Sequence, residues 1–293
     1  MFRTENNRVK QAEIGVPSIP SAPRSIQKGV PLKHLLGQEA VDCLARNISL
    51  VYSAFDNKSF RQSALAELDS LELKERGRHI ALALHQYLPD RYEEAIGILI
   101  ASFTPPQTEA EEFGLAEFFY LPHSCFIAEY GIDPIHNGGT DPFTISMSAQ
   151  YELTTRFTAE FSIRPFLIQQ LDRTLSELMR WTTDSNPHVR RLCSEGTRPR
   201  LPWGLRIPAL IANPTPVLPI LEALKNDQSL YVRRSVANHL GDIAKAHPEL
   251  VFQLCDRWLN GATSDLKWLI RHALRHPAKK GNETAIQLRA AAK

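Results

Sequence analysis

The chain has 293 residues, of which 43% are hydrophobic and 23% charged, and its formal net charge is +2; this composition is typical of soluble globular proteins. No apolar run reaches about 18 residues, and the N-terminus has no apolar stretch behind its charges, which excludes a membrane span and a secretory signal. Four scattered cysteines without a CxxC pair argue against a disulfide framework or a zinc site and favour a reducing, cytoplasmic compartment.

The N-terminal segment predicts an extended arm. Residues 1–30 contain Pro17, Pro20 and Pro23 among Ser, Gln, Asn and Lys, and Pro31 follows directly. Such a composition disfavours packed regular structure. We therefore expect an arm over 1–30, followed by a single helical domain over 31–290.

Apolar residues recur at helical spacing through the rest of the chain. Val41, Leu44 and Ile48, for example, fall on one face of a helix that starts near residues 37–39. No stretch shows the period-2 alternation of a strand, so the predicted fold class is all-α. The predicted helices cover about 37–51, 59–72, 73–88, 90–103, 126–130, 143–164 with a break or kink at Pro165, and a long amphipathic helix over 167–181.

Charge is divided unevenly along the chain. Residues 1–179 hold 16 basic and 23 acidic side chains, a net charge of −7, whereas residues 180–280 hold 16 and 8, a net charge of +8. A basic half beside an acidic half suggests a polyanionic partner. The alternative is a chance segregation of solvated charge.

The second half of the sequence repeats itself. The tetrapeptide at 188–191 (HVRR) returns at 231–234 (YVRR) and more loosely at 268–271 (WLIR), at spacings of 43 and 37 residues. Each copy follows a shorter apolar helix and a polar turn. Helix pairs recurring at about 40 residues are typical of HEAT-type solenoids, and the clearest repeats span about 167–280. The repeated arginines are then expected along one concave surface.

A helix–loop segment within this half suits a phosphate backbone. Asn186 can cap a helix that begins at Pro187. The helix runs into the stiff segment 198–203 (RPRLPW), which presents two guanidinium groups and an indole. Arginine binds phosphate through a planar fork, and proline limits the entropy lost on binding. The alternative is an ordinary helix–loop with solvated arginines.

Two acids lie among aromatic residues. Glu160 and Arg164 are four residues apart, with three phenylalanines and a proline around them. One interpretation is an i,i+4 ion pair worth about 0.3–0.5 kcal/mol. The other is a carboxylate held in a half-apolar cleft for electrostatic work. Glu117, in its own aromatic run, is a second acid of this kind.

A polar line is predicted on the second repeat. Arg234, Asn238 and Asp242 are spaced i, i+4, i+8 and so share one side of a helix. They are able to hold a phosphate and orient a water. The alternative is a solvated face with a hydrogen bond inside the helix.

Taken together, residues 160–166 (EFSIRPF), 190–203 (RRLCSEGTRPRLPW) and 231–240 (YVRRSVANHL) resemble the AlkC branch of the AlkC/AlkD DNA glycosylases, over roughly 110–280. The resemblance implies a right-handed α-α superhelix of HEAT-like repeats with a concave basic face. It also implies hydrolysis of the N-glycosidic bond of cationic alkylated bases, 3-methyladenine above all, in duplex DNA without base flipping. Some members carry an immunoglobulin-like domain after the solenoid, and we expect none here.

The resemblance also gives the residues roles. A ring-methylated purine is already a cationic leaving group, so a carboxylate that stabilises the oxocarbenium-like sugar and positions the water is sufficient. We assign this role to Glu160, with Glu117 and Asp242 as reserves. The expected DNA-binding residues are Arg164, Arg190, Arg191, Arg198, Arg200, Trp203, Arg233, Arg234, Asn238 and Lys267.

These assignments predict a monomeric, cytoplasmic repair enzyme that associates with the nucleoid when bound to DNA, without cofactor or metal. Its partner is duplex DNA containing alkylated bases. Two other functions fit the same sequence: a HEAT-type module that binds DNA or RNA without catalysis, and a protein-binding solenoid, which the basic half disfavours.

Overall fold

The computed structural model describes residues 15–108 and 114–293, and every regular element within them is a helix. This confirms the all-α fold class. Five short 3₁₀ helices accompany sixteen α-helices in these two stretches, none of them long and apolar enough to cross a membrane. The α-helices are α1 Gln38–Val51, α2 Asn57–Leu65, α3 Leu73–Tyr87, α4 Tyr92–Ala101, α5 Leu121–Tyr130, α6 Phe143–Thr154, α7 Ile163–Gln169, α8 Leu171–Trp181, α9 Pro187–Glu195, α10 Pro208–Ala212, α11 Leu218–Leu224, α12 Leu230–Ile243, α13 Pro248–Leu259, α14 Ser264–Ala273, α15 Arg275–Lys279 and α16 Glu283–Ala291.

Side-chain caps fix where several helices begin. The Asn186 side chain accepts a hydrogen bond from the backbone N–H of His188, and Pro187 occupies the first position of α9, as the sequence predicts. Thr263 caps α14 and Asn282 caps α16 in the same way. Each such bond satisfies a backbone donor that would otherwise lack a partner.

The second half is a stack of helix pairs. Helices α8 and α9, α11 and α12, and α13 and α14 pair with each other, and α9, α12 and α14 pack side by side as one row. Buried aliphatic residues such as Val189, Val232 and Ile270 fill the space behind that row. This is the HEAT-like repeat arrangement that the recurring tetrapeptide predicts.

The first arginine of each repeated pair holds neighbouring repeats together. Arg190 binds Asp227 through two bonds of 2.6 and 3.0 Å, and Arg233 approaches Asp265 at 3.1 Å. Both arginines also donate to two backbone carbonyls in the turn before their own helix. Arg190 and Arg233 are buried in these contacts, so the expectation that they bind phosphate is corrected. They form what we call the arginine–aspartate ladder.

Three predicted helices have different boundaries in the structure. The helix predicted over 143–164 ends at Thr154, and in the turn that follows Arg156 donates to the carbonyl oxygen of Thr104 at 2.5 Å. The long helix predicted over 167–181 is two helices, α7 and α8, separated at Gln170, whose φ of −136° and ψ of 54° are not helical. The helix predicted over 59–72 likewise ends at Leu65, before Glu67 at a positive φ.

The part of the predicted arm that the structure describes lies against α1. Ser18 exchanges two hydrogen bonds with the Asn47 side chain, and the carbonyl oxygen of Pro23 accepts from Leu115 N–H. Residues 15–30 contain no helix. The rest of the arm, 1–14, lies outside the described residues.

Candidate active site

Glu160 lies in the turn between α6 and α7 and faces α9. Its Oε2 accepts hydrogen bonds from Arg191 Nη1 at 2.5 Å and from Thr158 Oγ1 at 2.9 Å. Its Oε1 accepts none from the residues that the structure describes. The ion pair is therefore made with Arg191, 31 residues away in the sequence, instead of with Arg164 along one helix. The Glu160 side chain is 12% exposed, enough to reach solvent at an open surface.

A second carboxylate lies on the other side of Arg191. Glu195 Oε1 is 3.5 Å from Arg191 Nη2 and accepts a hydrogen bond of 2.5 Å from Arg198 Nη1. Its other oxygen accepts from Ser235 Oγ at 2.6 Å. Arg191 thus bridges two acids, and its guanidinium carbon lies 5.3 Å from the centre of the Tyr231 ring.

Arg198 and Asp242 form the layer behind Glu195. Both Nε and Nη2 of Arg198 lie 2.8 Å from one oxygen of Asp242, whose other oxygen accepts from Lys245. Both residues are almost fully buried. The Arg198 guanidinium and the Asp242 carboxylate bind each other in the interior. Neither the phosphate-binding role expected of Arg198 nor the reserve catalytic role of Asp242 fits this position.

Two clefts meet at the pair of acids. The arginine cleft, of about 330 Å³, lies over α9 and α12, and the aromatic cleft, of about 380 Å³, lies toward the loop after α9. Thr158, Glu160 and Glu195 line both. The arginine cleft is completed by Arg191, Tyr231, Arg234, Ser235 and Asn238, and the aromatic cleft by Gly114, Phe118, Phe157, Phe161, Arg198, Leu201, Pro202 and Trp203.

Arg164 holds the loop after α9 in place. Its guanidinium donates to the carbonyl oxygens of Leu205 and Gly196, and the side chain is completely buried. A Cβ at Gly204 would lie 3.0 Å from Arg164 Cδ, so glycine permits this close approach. Arg164 is therefore a support for the loop, and its expected role as a DNA ligand is corrected.

The same loop presents an aromatic side chain to solvent. Trp203 is 63% exposed and has a φ of +64°, a conformation that bulky residues rarely adopt. Its carbonyl oxygen accepts a hydrogen bond of 2.7 Å from Lys74 on α3. The half-buried Arg200 and the exposed Arg206 belong to the same loop. Strained residues of this kind concentrate at binding and catalytic sites.

The remaining predicted residues are distributed on three elements. Arg234 is exposed on α12 and, one turn later, Asn238 lines the same cleft. Lys267 is half-buried on α14. Glu117 does not line either cleft but lies beside the aromatic one, since a Cβ on Gly114 would be 3.6 Å from Glu117 Oε2. Its Oε1 accepts from Gln107 at 3.2 Å, and its Oε2 is buried without a hydrogen bond from the described residues. Its reserve catalytic role stays a prediction.

Comparison with known proteins identifies the family. No family model matches the chain. The uncharacterized protein YhaZ of Bacillus subtilis (strain 168) is 38% identical over 258 residues, which are 88% of this chain and 67% of YhaZ. The structure of Pseudomonas fluorescens alkylpurine DNA glycosylase AlkC bound to DNA containing an abasic site analog matches with a TM-score of 0.78 and 38% identity, over 89% of this chain and 68% of that one. The chain belongs to the AlkC family.

Acidic and basic side chains alternate as ion-pair partners in this AlkC-family site, and they shift each other's pKa. Burial by itself would raise the pKa of Glu195, but the charges of Arg191 and Arg198 and the Ser235 hydrogen bond outweigh it and lower that pKa. Burial likewise opposes the charge on Arg191, yet the two glutamates raise its pKa overall. Glu195 and Arg191 are therefore ionised at neutral pH.

Glu195 is the acid that the sequence interpretation did not select. Its signal was present, because Arg191, Glu195 and Arg198 are spaced i, i+4 and i+7 and would form a line of alternating charge on one helix face. The same helix also has an apolar spacing, in which Val189, Leu192 and Cys193 form the packed face. Among the described residues, no group of His, Cys, Asp and Glu side chains has the arrangement of a metal site.

Proposed function

We propose that this AlkC-family chain is an alkylpurine DNA glycosylase that hydrolyses the N-glycosidic bond of cationic alkylated bases, of the 3-methyladenine type, in duplex DNA. The observation that carries the proposal is the Glu160 carboxylate. One of its oxygens is fixed by Arg191 and Thr158, while the other accepts no hydrogen bond from the described residues, at the junction of two open clefts.

The chemistry needs a negative charge beside the sugar. As the bond between C1′ and the base nitrogen breaks, its electron pair goes to the base, and positive charge develops on the sugar. A carboxylate about 4 Å away, at an effective dielectric near 20, stabilises that charge by about 4 kcal/mol, or about a thousandfold in rate, as an upper value. The same carboxylate can orient the water that adds to C1′.

The ion pairs account for a preference for cationic bases. A neutral base must be protonated before it can leave, which requires a carboxylic acid near the leaving group. Glu195 has a lowered pKa and Glu160 is bonded to a guanidinium, so neither carboxylate is suited to donate a proton at neutral pH. A base that already carries a positive charge needs no such donor.

The openness of the clefts is compatible with a base that stays in the helix. Glu160 is reached from an open surface, and an enclosed pocket is not needed for a carboxylate to approach the edge of the sugar. The groups suited to contact the DNA around the lesion are the exposed Trp203 and Arg206 and the half-buried Arg200 on the loop after α9, and the exposed Arg234 on α12.

The test is release of free base from methylated duplex DNA, measured by chromatography. We expect Glu160→Gln to lower the single-turnover rate of 3-methyladenine release by about a thousandfold, since it removes the charge and keeps the shape. Affinity for a duplex containing an abasic site analog is expected to remain close to that of the unsubstituted protein.

The matched control is Glu249→Gln, which changes an exposed acid in the first turn of α13. It should release base at the normal rate. Normal release by Glu160→Gln would contradict the catalytic assignment. Tight DNA binding without any base release by the unsubstituted chain would favour a HEAT-repeat module that binds nucleic acid without catalysis.

A further inference from the structure

The Trp203 indole is not held in place by contacts of its own. The side chain is largely exposed, and it makes no hydrogen bond or ring contact with any residue that the structure describes. An aromatic side chain without such contacts points where its backbone directs it. The direction of the indole at the edge of the aromatic cleft is therefore set by the turn that carries it.

That turn has the sequence of a type II turn except at one position. Gly204 N–H donates to the carbonyl oxygen of Leu201 at 3.2 Å, which closes a turn of four residues. Pro202 occupies the second position, where proline is common, and the third position of such a turn needs a positive φ. Glycine or asparagine usually supplies that φ, whereas here Trp203 adopts it, at +64°. A bulky residue keeps such a conformation only when the surrounding structure holds it there.

Lys74 holds this turn from another part of the chain. Its Nζ donates to the carbonyl oxygen of Trp203 at 2.7 Å, across 129 residues of sequence. The bond limits rotation of the peptide group that follows Trp203. Lys74 is the second residue of α3, where a positive charge opposes the helix macrodipole. The lysine is therefore explained by its contact with the loop and not by the start of its own helix.

Lys74 and Arg164 reach the loop from helices of one packed framework. Helix α3 packs against α5, and α5 packs against α7, which carries Arg164. A Cβ on Gly77, three residues after Lys74, would lie 2.9 Å from Leu121 Cγ, so α3 and α5 meet without space between them. The two donors are therefore fixed relative to each other, and they fix the loop relative to the site.

We propose that Lys74 is a positioning residue, which holds the turn at 201–204 so that the Trp203 indole contacts DNA at the damaged position. This rests on the proposed function for the nature of the damage. An indole that is already oriented loses less conformational freedom on binding. Aromatic side chains stack on base faces, which an intact duplex keeps covered by neighbouring bases. The effect of Lys74 is therefore expected on damaged DNA and not on an undamaged duplex.

The test is a double-mutant cycle on affinity for a duplex that contains an abasic site analog. Lys74→Met removes the donor and keeps most of the aliphatic stem, and it should weaken binding about fivefold. Trp203→Gly should weaken binding about tenfold. The double variant should bind as Trp203→Gly does, because without an indole Lys74 has nothing to position. Lys74→Met should leave affinity for an undamaged duplex of the same sequence unchanged.

Two further variants complete the experiment. Lys74→Arg keeps a donor of similar reach and should retain most of the affinity. Lys58→Met is the matched control, because Lys58 is an exposed lysine at the second position of α2, as Lys74 is at the second position of α3. It should bind both duplexes as the unsubstituted protein does. Thermal unfolding of each variant separates loss of the contact from loss of the fold.

Additive losses in the double variant, or an equal loss on the undamaged duplex, would overturn the proposal. They would indicate that Lys74 binds a phosphate directly, and Lys74→Met would then reduce the salt slope of log K by about 0.9. Unchanged affinity of either single variant would overturn it as well. Because the assay measures binding to an analog, it succeeds or fails independently of base release. A chain that shows non-additive losses but releases no base would retain the role of Lys74 and lose the glycosylase proposal.

Discussion

Five acidic and basic side chains alternate at the centre of the site. Glu160 and Glu195 flank Arg191, and Arg198 then joins Glu195 to Asp242. Each carboxylate is thus paired with a guanidinium where water is largely excluded. The order matters for function, because only Glu160 ends the series at an open surface, with an oxygen that no described residue binds.

Replacing Arg198 by alanine tests whether it belongs to this series or to a DNA-binding surface. Its removal leaves Glu195 and Asp242 buried with one fewer partner, so we expect the free energy of unfolding to fall by about 3–5 kcal/mol. Urea denaturation measures this loss. The matched variant is Arg200→Ala, two residues on and half-buried at the loop, which should change stability by no more than about 0.5 kcal/mol and weaken DNA binding. The reverse pattern would contradict the assignment.

The sequence predicts that adjacent arginines matter but does not show which one reaches the cleft. Arg190 and Arg191 point about 100° apart on α9, and the deciding partner of Arg190 is Asp227, 37 residues away on the next repeat. Such a pairing depends on how the repeats stack. Glu160 was identified because its aromatic surroundings are local in sequence, whereas its actual partner, Arg191, is not.

At the scale of elements, the loop after α9 carries the strained residue Trp203 and is held in place by two side chains. Arg164 donates hydrogen bonds to the carbonyl oxygens of Leu205 and Gly196, and Lys74 on α3 donates to the carbonyl oxygen of Trp203. We expect Trp203→Gly to raise the free energy of unfolding by about 1 kcal/mol, because glycine adopts a φ of +64° without the steric cost and little buried area is lost.

The same substitution should weaken binding to a duplex with an abasic site analog, since the exposed indole is removed. Chemical denaturation and DNA-binding titrations on the one variant measure both effects. The control is Gly204→Ala, which introduces a Cβ against Arg164 and should lower stability instead. A Trp203→Gly variant that is both less stable and fully able to bind would contradict the interpretation of this loop.

Helix positions were predicted better than helix ends. The apolar spacing of α6 continues past its end, because Leu153, Phe157 and Phe161 are four residues apart while the latter two lie in the following turn. Just after the helix end, Arg156 donates to the carbonyl oxygen of Thr104, a tertiary contact that the apolar spacing does not predict. The start of α9 was predicted correctly because its signals, Asn186 and Pro187, are local.

At the scale of the whole molecule, two buried histidines make stability depend on pH. Burial lowers the pKa of His123 and of His239 from 6.5 to about 3. Below pH 6.5 the unfolded chain binds protons at these residues and the folded chain does not. The stability is therefore fully present above pH 6.5 and is lost as the pH falls toward 3, by up to about 1.4 kcal/mol per pH unit for each histidine.

Urea denaturation across this range measures the dependence. His239→Gln should flatten the slope between pH 6.5 and 4.5, above the range in which carboxylates such as Glu195 are protonated. His34→Gln, at an exposed histidine before α1, is the control and should leave the slope nearly unchanged. A free energy of unfolding that is constant over this interval would show that both histidines are protonated in the folded state.

The excess of basic residues in 180–280 overstates the charge that faces a partner. Arg190, Arg191, Arg198 and Arg233 are neutralised by acids within the stack, including Asp227 and Glu195. The exposed cations are fewer and are scattered: Arg180 on α8, Arg206 on the loop after α9, Arg234 on α12, Lys245 after α12, Arg257 on α13, and Lys279 and Lys280 after α14. The sequence charge therefore suggests a polyanionic partner, and the ion pairs determine which of the basic side chains reach the surface.

The arginine–aspartate ladder also constrains how the stack can come apart. If one repeat peeled away from its neighbour, the Arg190–Asp227 or the Arg233–Asp265 ion pair would have to separate. Unfolding of a single repeat is therefore disfavoured relative to cooperative unfolding of the whole stack. We therefore expect the stack, and with it the two clefts that meet at Glu160, to move as one rigid unit.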